Sequence, residues 1–300
     1  MKALVYGSLN IDYVYEVDHI LAPGETESSV SMTTVAGGKG LNQSIALAKA
    51  GVDVYLAGQV GEEGDLLEEV CKDSCVNTSF LEHVSGRSGH TFIQVDRNGQ
   101  NSILLFGGAN QSQKRHKIDE VISYFKEGDF LLLQNEINEL AYLIQRAYEQ
   151  KMFIVLNPSP YNQELKKCDL QKISLFVLNE VEAQQLIGSS DVKAIENGMR
   201  KFFPKSDVLL TLGVNGSYYF GVKDNKNYQE CIPVKAVDTT GAGDTYTGYF
   251  VAMRMKGMTV VDSMRIASFA AGIACTKHGA APSIPKLDEV ENLLSLRAEY

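Results

Sequence analysis

The sequence has few of the features that mark membrane-spanning, secreted or nucleic-acid-binding proteins. No apolar stretch reaches the roughly 18 residues needed to span a bilayer. The apolar run within residues 1–7 is too short for a signal peptide, so we expect it to form a first strand. Basic residues are outnumbered by acidic ones, 28 to 37, and the net charge of −9 offers no basic face for a nucleic acid. We therefore expect neither a nucleic acid nor a membrane as a partner.

Cysteines are also scarce, and their arrangement excludes both a disulfide framework and a zinc site. The five are odd in number and scattered. Cys71 and Cys75 lie four residues apart but have no second pair to complete a tetrahedral set. Reduced thiols in a reducing compartment are the simplest interpretation. We therefore expect a cytoplasmic protein.

Low-complexity tracts and long charge runs are absent as well, which favours a folded globular protein. The 300 residues, 44% hydrophobic and 22% charged, can bury one large core or one core plus a small appended unit. The acidic balance does not exclude an anionic nucleotide ligand. Its phosphates would have to be held by local groups such as backbone amides.

Short apolar runs alternate with amphipathic stretches along most of the chain. The apolar runs are bounded by Gly, Asn or Pro and lack a two-residue alternation, which is typical of strands covered on both faces. The predicted strands are 3–6, 54–57, 130–133, 153–156, 175–178 and 208–212. The predicted helices are 41–50, 66–75, 118–125, 139–149 and 181–187, followed by 243–256 and 260–277. This order predicts an α/β fold with a doubly wound, mostly parallel sheet flanked by helices.

Four segments depart from this alternation and look like two-faced strands without crossover helices. They are residues 11–17, 28–35, 90–96 and 101–106. Asn98-Gly99 is a strong turn signal between the last two. We interpret the four as a small antiparallel β-sheet beside the main domain, with an ordinary extension of the main sheet as the alternative. The predicted main domain is 1–10, 37–88 and 107–300, and the predicted lid is 11–36 and 89–106.

The segment 237–248 has the composition of an anion-binding helix start. Gly241, Ala242 and Gly243 are small, and a helix-compatible run follows them. Their backbone N–H groups can therefore converge on one point at the positive end of a helix dipole. Asp244 would then stand where phosphate charge develops, as phosphoryl transfer requires of a general base. The alternative is an acid that only complements the dipole.

A second glycine-rich segment, residues 36–44, opens another helix. Its glycines let a ligand approach the backbone, while Lys39 and Asn42 offer donors to sugar hydroxyls or phosphate. The segment is not a Walker A loop, because Lys39 is followed by Gly40 instead of Ser or Thr. No Gly-x-Gly-x-x-Gly follows a strand with a matching acid, so a nicotinamide-dependent dehydrogenase is poorly supported.

Together the two segments resemble the signature motifs of the ribokinase (PfkB) family of carbohydrate kinases, and the resemblance runs nearly end to end. The further matching segments are residues 7–12, 107–110, 179–182, 211–216 and 271–283. In the family these are an opening sugar-binding turn, the exit from the lid, an Asn-x-x-Glu motif, a nucleotide loop and a closing segment. The resemblance implies Mg-ATP-dependent phosphoryl transfer to a primary sugar hydroxyl.

The resemblance also implies a role for individual residues. Asp244 would be the catalytic base, beside an anion hole formed by Gly241, Ala242 and Gly243. The sugar would be held by Asp244 together with Asn10, Asp12, Gly38, Lys39, Asn42 and Glu136. The nucleotide would contact Asn179, Thr211, Gly213, Gly216 and Gly243, while Glu182 would organise Mg²⁺ through its water shell. A monovalent cation, expected to be potassium, would be bound by Asp238, Thr240, Lys277, Gly279 and Ser283.

The match loosens at positions that bear on the identity of the sugar. His90-Thr91 occupies a lid position that is often small or apolar, and strand alternation directs one of the two toward the sugar. The favoured function is a kinase for the 5-hydroxyl of D-ribose, with deoxyribose, fructose or a nucleoside as alternative acceptors. A non-catalytic sugar or nucleotide sensor is a further alternative, although it would be expected to lack Asp244 or Glu182.

The small sheet leads to two further expectations, one about closure over the sugar and one about pairing with a second copy of the chain. We expect it to act as a lid that closes over the sugar, excludes water and suppresses wasteful ATP hydrolysis. Its edge strands and outward apolar residues would suit pairing with a second copy of the chain. A homodimer formed through the lid is therefore expected.

Overall fold

The computed structural model describes residues 1–223 and 225–298, which form thirteen strands and nine α-helices in a nine-stranded main sheet and a four-stranded small sheet. The strands are β1 (Ala3–Tyr6), β2 (Asn10–Glu16), β3 (Ser31–Gly37), β4 (Val54–Val60), β5 (Asn77–His83), β6 (Gly89–Val95), β7 (Asn101–Phe106), β8 (Phe130–Gln134), β9 (Phe153–Asn157), β10 (Leu175–Asn179), β11 (Asp207–Thr211), β12 (Ser217–Phe220) and β13 (Lys226–Gln229). The helices are α1 (Lys39–Lys49), α2 (Asp65–Asp73), α3 (Arg115–Ser123), α4 (Leu140–Glu149), α5 (Glu180–Ile187), α6 (Val192–Phe202), α7 (Ala242–Met255), α8 (Val260–Cys275) and α9 (Leu287–Ala298). None of the helices in these described residues is both long enough and apolar enough to cross a membrane.

The main sheet is parallel over most of its width, which confirms the predicted doubly wound α/β fold. Its strand order is β13-β12-β11-β10-β9-β8-β1-β4-β5, and the two pairs at the β13 edge are antiparallel. Alternate residues of β1 enter different cores: Ala3 and Val5 pack with α1, α7 and α8, whereas Leu4 and Tyr6 pack with α3 and α4. Strands covered on both faces in this way carry continuous apolar runs.

The four segments predicted beside the main domain form the small sheet, in the order β3-β2-β6-β7. The pairs β2–β3 and β6–β7 are antiparallel, whereas the central pair β2–β6 is parallel. This mixture has a simple cause, since β2 and β6 follow β1 and β5, two strands that run in the same direction in the main sheet. The small sheet includes Asn10 and Gly37, one residue beyond the predicted lid boundary in each case.

The elements that were not predicted lie mostly at the margins of the main domain. They are β5, β12, β13, α6 and α9. Strands β5 and β13 expose alternate residues to solvent, so they lack the continuous apolar run by which the central strands were identified. In addition, the strand predicted at 28–35 begins only at Ser31.

Helices α1 and α7 begin at the same end of the main domain and lie in direct contact. Gly248 of α7 faces α1, and a Cβ atom placed on it would come within 2.4 Å of the Cβ of Ala46. Strands β1 and β8 are parallel neighbours, so their carboxyl ends lie side by side. The turn after β1 packs against Gly40 at the start of α1, which places these carboxyl ends beside that helix start. Sites in open α/β sheets form at such carboxyl ends.

Candidate functional site

One group of predicted residues lies where the turn after β1, the small sheet and the start of α1 meet. We call this group the polar pocket: Asn10, Asp12, Lys39, Asn42 and Glu136. The backbone turn that closes it requires glycine. Gly38 has a φ of +95°, and a Cβ atom there would lie 2.8 Å from the carbonyl oxygen of Ser8.

Asn10 is held in the polar pocket by Asn110, which follows the small sheet. Nδ2 of Asn110 donates to Oδ1 of Asn10 at 2.8 Å and to the carbonyl oxygen of Leu9 at 3.2 Å. Oδ1 of Asn110 accepts from the backbone N–H of Leu9 at 3.0 Å. Because the side-chain oxygen of Asn10 is occupied, its NH₂ group is the end available to a ligand.

Asp12 has an environment that favours its protonated form more than water does. Burial raises the pKa of Asp12 to about 6, against the opposing effect of the Thr91 hydroxyl and with a further contribution from Glu136. Oγ1 of Thr91 donates to Oδ1 of Asp12 at 2.6 Å. The ring of His90 instead packs among aromatic rings of the small sheet. Of the His90-Thr91 pair, Thr91 is therefore the residue that faces the polar pocket.

Lys39 is surrounded by acidic groups. Burial lowers the pKa of Lys39, but the carboxylates of Asp244, Glu136 and Glu182 outweigh burial, so the net pKa is raised. Burial also raises the pKa of Glu136, although Lys39 and the hydroxyl of Ser8 oppose that shift. The Ser8 hydroxyl donates to Oε2 of Glu136. Lys39 consequently remains a cation close to the start of α7.

The start of α7 opens on a cleft. Gly241 precedes the helix with a φ of +74° and packs against Ala280, whose Cβ would lie 2.8 Å from a Cβ on Gly241. A Cβ on Gly243 would meet no atom of the described residues within 4 Å, so the first turn is open at that point. The backbone N–H of Ala242 donates to the carbonyl oxygen of Thr239 at 3.2 Å. The predicted anion hole of Gly241, Ala242 and Gly243 thus has one of its amides engaged in a turn.

Asp244 stands on the first turn of α7 with only 8% of its surface exposed. Both carboxylate oxygens accept hydrogen bonds from α1. Nδ2 of Asn42 donates to Oδ2 at 3.1 Å, and Nε2 of Gln43 donates to Oδ1 at 2.9 Å. Asp244 is therefore bonded to the polar pocket through Asn42 and directly follows Gly243, which lines the cleft.

The cleft beside Gly243 has a volume of about 560 Å³. All the residues predicted to contact a nucleotide line it, namely Asn179, Thr211, Gly213, Gly216 and Gly243. Much of the remaining wall is apolar and was not predicted, including Ile232, Val234, Ala236, Ala271 and Gly272. We call this space the apolar cleft. Its size and lining suit a ligand that has a flat aromatic ring. The polar groups near Gly243 suit a charged group at the other end of such a ligand.

Glu182 is buried at the start of α5. Its Oε2 accepts from the backbone N–H of Asn179 at 2.9 Å and from Nδ2 of Asn157 at 3.1 Å. Oδ1 of Asn179 accepts in return from the N–H of Glu182 at 2.8 Å, which completes a capping box. No donor among the described residues reaches Oε1, so this oxygen is available to a water molecule of a hydrated cation.

Two loops predicted to bind a monovalent cation come together around Asp238. Its Oδ1 accepts from the N–H of Thr240 at 2.9 Å, and its Oδ2 accepts from the N–H of Gly279 at 2.8 Å. Burial raises the pKa of Asp238, but these hydrogen bonds outweigh burial and the net pKa is lowered. The loops thus place an ionised carboxylate, a ligand that hard cations prefer, between Thr240 and Gly279.

The other two residues of this set differ in their side-chain contacts. Ser283 is fully buried, and its hydroxyl donates to the carbonyl oxygen of Ala280 at 2.7 Å. The ammonium of Lys277 binds Glu289 at 2.8 Å. Lys277 can therefore serve a cation site through its backbone only.

The polar residues of the site that were not predicted include Ser8, Gln43 and Asn110. Each lies inside a segment whose motif was identified, so the sequence did contain a signal. The motif does not reveal which side chains of a turn or a helix start point inward. That depends on partners such as Glu136 and Asp244, which lie more than a hundred residues away.

The chain is similar over nearly its whole length to the members of one characterised protein family. The sequence model of the pfkB family carbohydrate kinases matches residues 1–287. A ribokinase of Staphylococcus aureus is 32% identical over 303 residues, which cover 97% of this chain and 99% of the relative.

Solved structures agree with the sequence relatives. Ribokinase from Cryptococcus neoformans var. grubii, in complex with ADP, is 31% identical with a TM-score of 0.85, and the match covers 97% of this chain and 99% of that one. Arabidopsis thaliana ribokinase, complexed with ribose and ATP, is 29% identical with a TM-score of 0.85, covering 97% and 98%. The similarity therefore includes both sheets.

Proposed function

The chain belongs to the pfkB family of carbohydrate kinases, and on this basis we propose that it is an ATP-dependent ribokinase, which phosphorylates the 5-hydroxyl of D-ribose. The observation that carries the proposal is the position of Asp244, which is bonded to Asn42 of the polar pocket and directly follows Gly243 in the wall of the apolar cleft. A polyol requires several fixed polar groups, because each unpaired buried group costs about 1–3 kcal/mol. The polar pocket supplies them.

In the proposed mechanism, Asp244 accepts the proton of the attacking hydroxyl. General-base assistance of this kind is typically worth roughly 10²–10⁴-fold in rate. The N–H group of Ala242 is engaged by Thr239, so the next N–H groups of α7, beginning at Gly243, are the ones that would stabilise charge on the transferred phosphoryl group. Lys39 would add a positive charge at the same place.

The metal ions belong to the proposal as well. Mg²⁺ bound with ATP would neutralise charge on the phosphates. We assign its water shell to Oε1 of Glu182, which Asn157 and Asn179 hold in place through Oε2. The loops joined by Asp238 would hold potassium through the predicted residues Asp238, Thr240, Lys277, Gly279 and Ser283. A higher turnover rate in KCl than in tetramethylammonium chloride at equal ionic strength tests the potassium site.

We also propose a homodimer formed through the small sheet. The edge strand β7 exposes its apolar side chains on both faces: Ile103 57%, Leu104 69%, Leu105 42% and Phe106 54%. An apolar edge strand of this kind pairs with another chain or aggregates. Sedimentation at micromolar concentration should give twice the monomer mass, and Leu104→Asp should shift the chain to monomer. A monomeric unsubstituted protein would refute the dimer.

A cytoplasmic location is the remaining part of the proposal. All five cysteines are free. Burial raises the pKa of Cys71 to about 12, so that thiol is unreactive. Free thiols agree with a reducing compartment.

An acceptor panel tests the proposed function. ADP release would be measured with ribose, deoxyribose, fructose and adenosine, and the phosphorylated position would be identified by NMR. Ribose should give the highest kcat/KM, with the phosphate on the 5-oxygen. If ribose is among the poorest acceptors, the ribokinase assignment is wrong. If no acceptor stimulates ADP release, the kinase activity itself is refuted.

A further inference from the structure

A row of side-chain amides leads from Asp244 into the core of the main domain. Nε2 of Gln43 donates to Oδ1 of Asp244 at 2.9 Å, and Nε2 of Gln134 donates to Oε1 of Gln43 at 2.7 Å. Both glutamines are 1% exposed. From this geometry we infer that Gln43 and Gln134 are positioning residues, which hold the carboxylate of Asp244 in the orientation needed for proton transfer. The inference rests on the proposed kinase activity.

The direction of every hydrogen bond in the row follows from Asp244. A carboxylate that serves as the proposed base can only accept, so Gln43 presents its NH₂ group to Asp244. The oxygen of Gln43 then faces the other way and needs a donor, which the NH₂ group of Gln134 supplies. Without Gln134, the amide of Gln43 is free to turn over and present its oxygen to the carboxylate, which is repulsive.

The row also joins three separate elements at the point where they meet. Gln43 lies on α1, Gln134 ends β8, and Asp244 lies on the first turn of α7. A Cβ on Gly248 would lie 3.0 Å from the carbonyl oxygen of Gln43, so α7 approaches α1 closely next to the row. Small displacements of a reacting group are costly in rate, which makes this anchoring relevant to turnover.

Stability alone does not account for Gln134. Residues 130–133 of the same strand are Phe-Leu-Leu-Leu, and an apolar residue at position 134 would continue that buried run. The oxygen Oε1 of Gln134 is buried without a hydrogen-bond partner among the described residues, and it lies close to Gly7. A buried unpaired oxygen is destabilising. We therefore attribute the presence of an amide at position 134 to the hydrogen bond that its Nε2 donates to Gln43.

Gln43 and its neighbour Asn42 each donate a hydrogen bond to a different oxygen of the Asp244 carboxylate. Asn42 donates to Oδ2 and belongs to the polar pocket, so its substitution would disturb sugar binding and catalysis together. Each end of the Gln43 amide is engaged within the row, and the residue is too deeply buried to contact a ligand. The charged groups facing Asp244, which include Lys39 and Glu136, are untouched by a change at Gln43. Substitution of Gln43 should therefore change turnover without changing sugar affinity.

Kinetic analysis of three variants and one control variant tests the inference. Gln43→Met, Gln134→Met and the double variant would be assayed at saturating ATP with the best acceptor of the panel, and sugar affinity would be measured by calorimetry. Misplacement of the base should lower kcat about 10- to 100-fold in Gln43→Met and about 3- to 10-fold in Gln134→Met. Because Gln134 acts through Gln43, the double variant should match Gln43→Met within about twofold. Sugar affinity should stay within about twofold throughout.

Gln113→Met is the matched control. Gln113 is 5% exposed, its side-chain oxygen accepts from the Tyr6 hydroxyl at 3.2 Å, and its Nε2 has no hydrogen-bond partner in the part of the chain that the structure describes. It therefore resembles Gln134 but lies outside the row. Its kcat should remain within about twofold of the unsubstituted protein. The inference is overturned by an unchanged kcat in Gln43→Met, by an equal loss in Gln113→Met, or by losses that multiply in the double variant. Turnover of the unsubstituted protein reports on the proposed function, whereas ratios between variants report on the row.

Discussion

The polar pocket and the apolar cleft meet at Asp244 but are built in opposite ways. In the polar pocket, ligand-facing groups are already bonded to protein partners: Asn10 to Asn110, and Asp12 to Thr91. The apolar cleft offers about 560 Å³ of space, and most of the surface that its wall exposes is apolar. One half of the site is fixed by hydrogen bonds and the other by shape.

This difference indicates how each substrate would be selected. A site built from buried hydrogen-bonding groups rejects analogues that lack a matching hydroxyl, because its own polar groups are then left unpaired. An apolar cleft discriminates weakly between rings of similar size. We therefore expect strict selection of the sugar and looser selection of the nucleotide base.

Substitution of Asp244 should have the largest effect, because this residue serves both halves. An asparagine at this position cannot accept the proton of the attacking hydroxyl, so Asp244→Asn should lower kcat by roughly 10²–10⁴-fold. Sugar affinity measured by calorimetry should change by only a few-fold, roughly the cost of one altered hydrogen bond. Unchanged turnover would remove Asp244 from the mechanism.

Filling the apolar cleft should affect the nucleotide alone. A Cβ on Gly272 would lie 3.5 Å from atoms of Ile232 and Val234, which is ordinary contact, whereas a leucine would extend into the cleft. Overpacking costs about 1–3 kcal/mol, so Gly272→Leu should raise the KM for ATP roughly tenfold or more.

The smaller variant at the same position provides the control. Gly272→Ala should leave the KM for ATP within about twofold, because its added methyl group makes only ordinary contacts. The KM for the sugar should stay constant in both variants. An equal rise in both KM values for Gly272→Leu would show that the two halves are not independent.

The polar half of the site was predicted from the sequence more completely than the apolar half. Glycines and charged residues in fixed order, as in residues 36–44, are informative because few other residue types can replace them. Ile232, Val234 and Ala236 line the apolar cleft but look like any other apolar residues in the sequence. Their role depends on which helix face and loop the fold turns toward Gly243.

The fold, like the site, was predicted most completely where the residues have a distinctive sequence pattern. The central strands were predicted because burial on both faces requires continuous apolar runs, whereas β5 and β13 at the two edges carry mixed residues. The hydrogen bond between Asn42 and Asp244 joins residues 202 positions apart, and no local pattern encodes such a distance. The parallel pairing of β2 with β6 likewise depends on the direction in which β1 and β5 leave the main sheet.

The protonation of Asp12 should make sugar binding, but not nucleotide binding, depend on pH. The pKa of Asp12 is raised to about 6, chiefly by burial, so the carboxylate is ionised above that pH and becomes protonated below it. If the ionised form accepts a sugar hydroxyl, the KM for the sugar should rise by up to about tenfold per pH unit below pH 6.

The variant Asp12→Asn distinguishes the protonation of Asp12 from the protonation of neighbouring groups. The pKa of Glu136 is also raised, chiefly by burial, so any pH dependence that persists in Asp12→Asn belongs to Glu136 or another group. The variant should bind sugar more weakly at pH 7 and lose most of the dependence below pH 6. A KM for the sugar that is flat from pH 7 to pH 5 in the unsubstituted protein would contradict the assignment.

The smallest effect is expected at Thr91, whose only proposed role is to support Asp12. Its hydroxyl donates to Oδ1 at 2.6 Å and lowers the pKa of Asp12, opposing burial. Thr91→Val removes the donor at nearly constant volume. Sugar affinity at pH 7 should therefore fall about 3- to 10-fold, and the decline in affinity should begin at a higher pH. Thr91→Ser keeps the hydroxyl and should behave like the unsubstituted protein. If serine and valine weaken sugar binding equally, then the methyl group of Thr91, and not its hydrogen bond, supports the polar pocket.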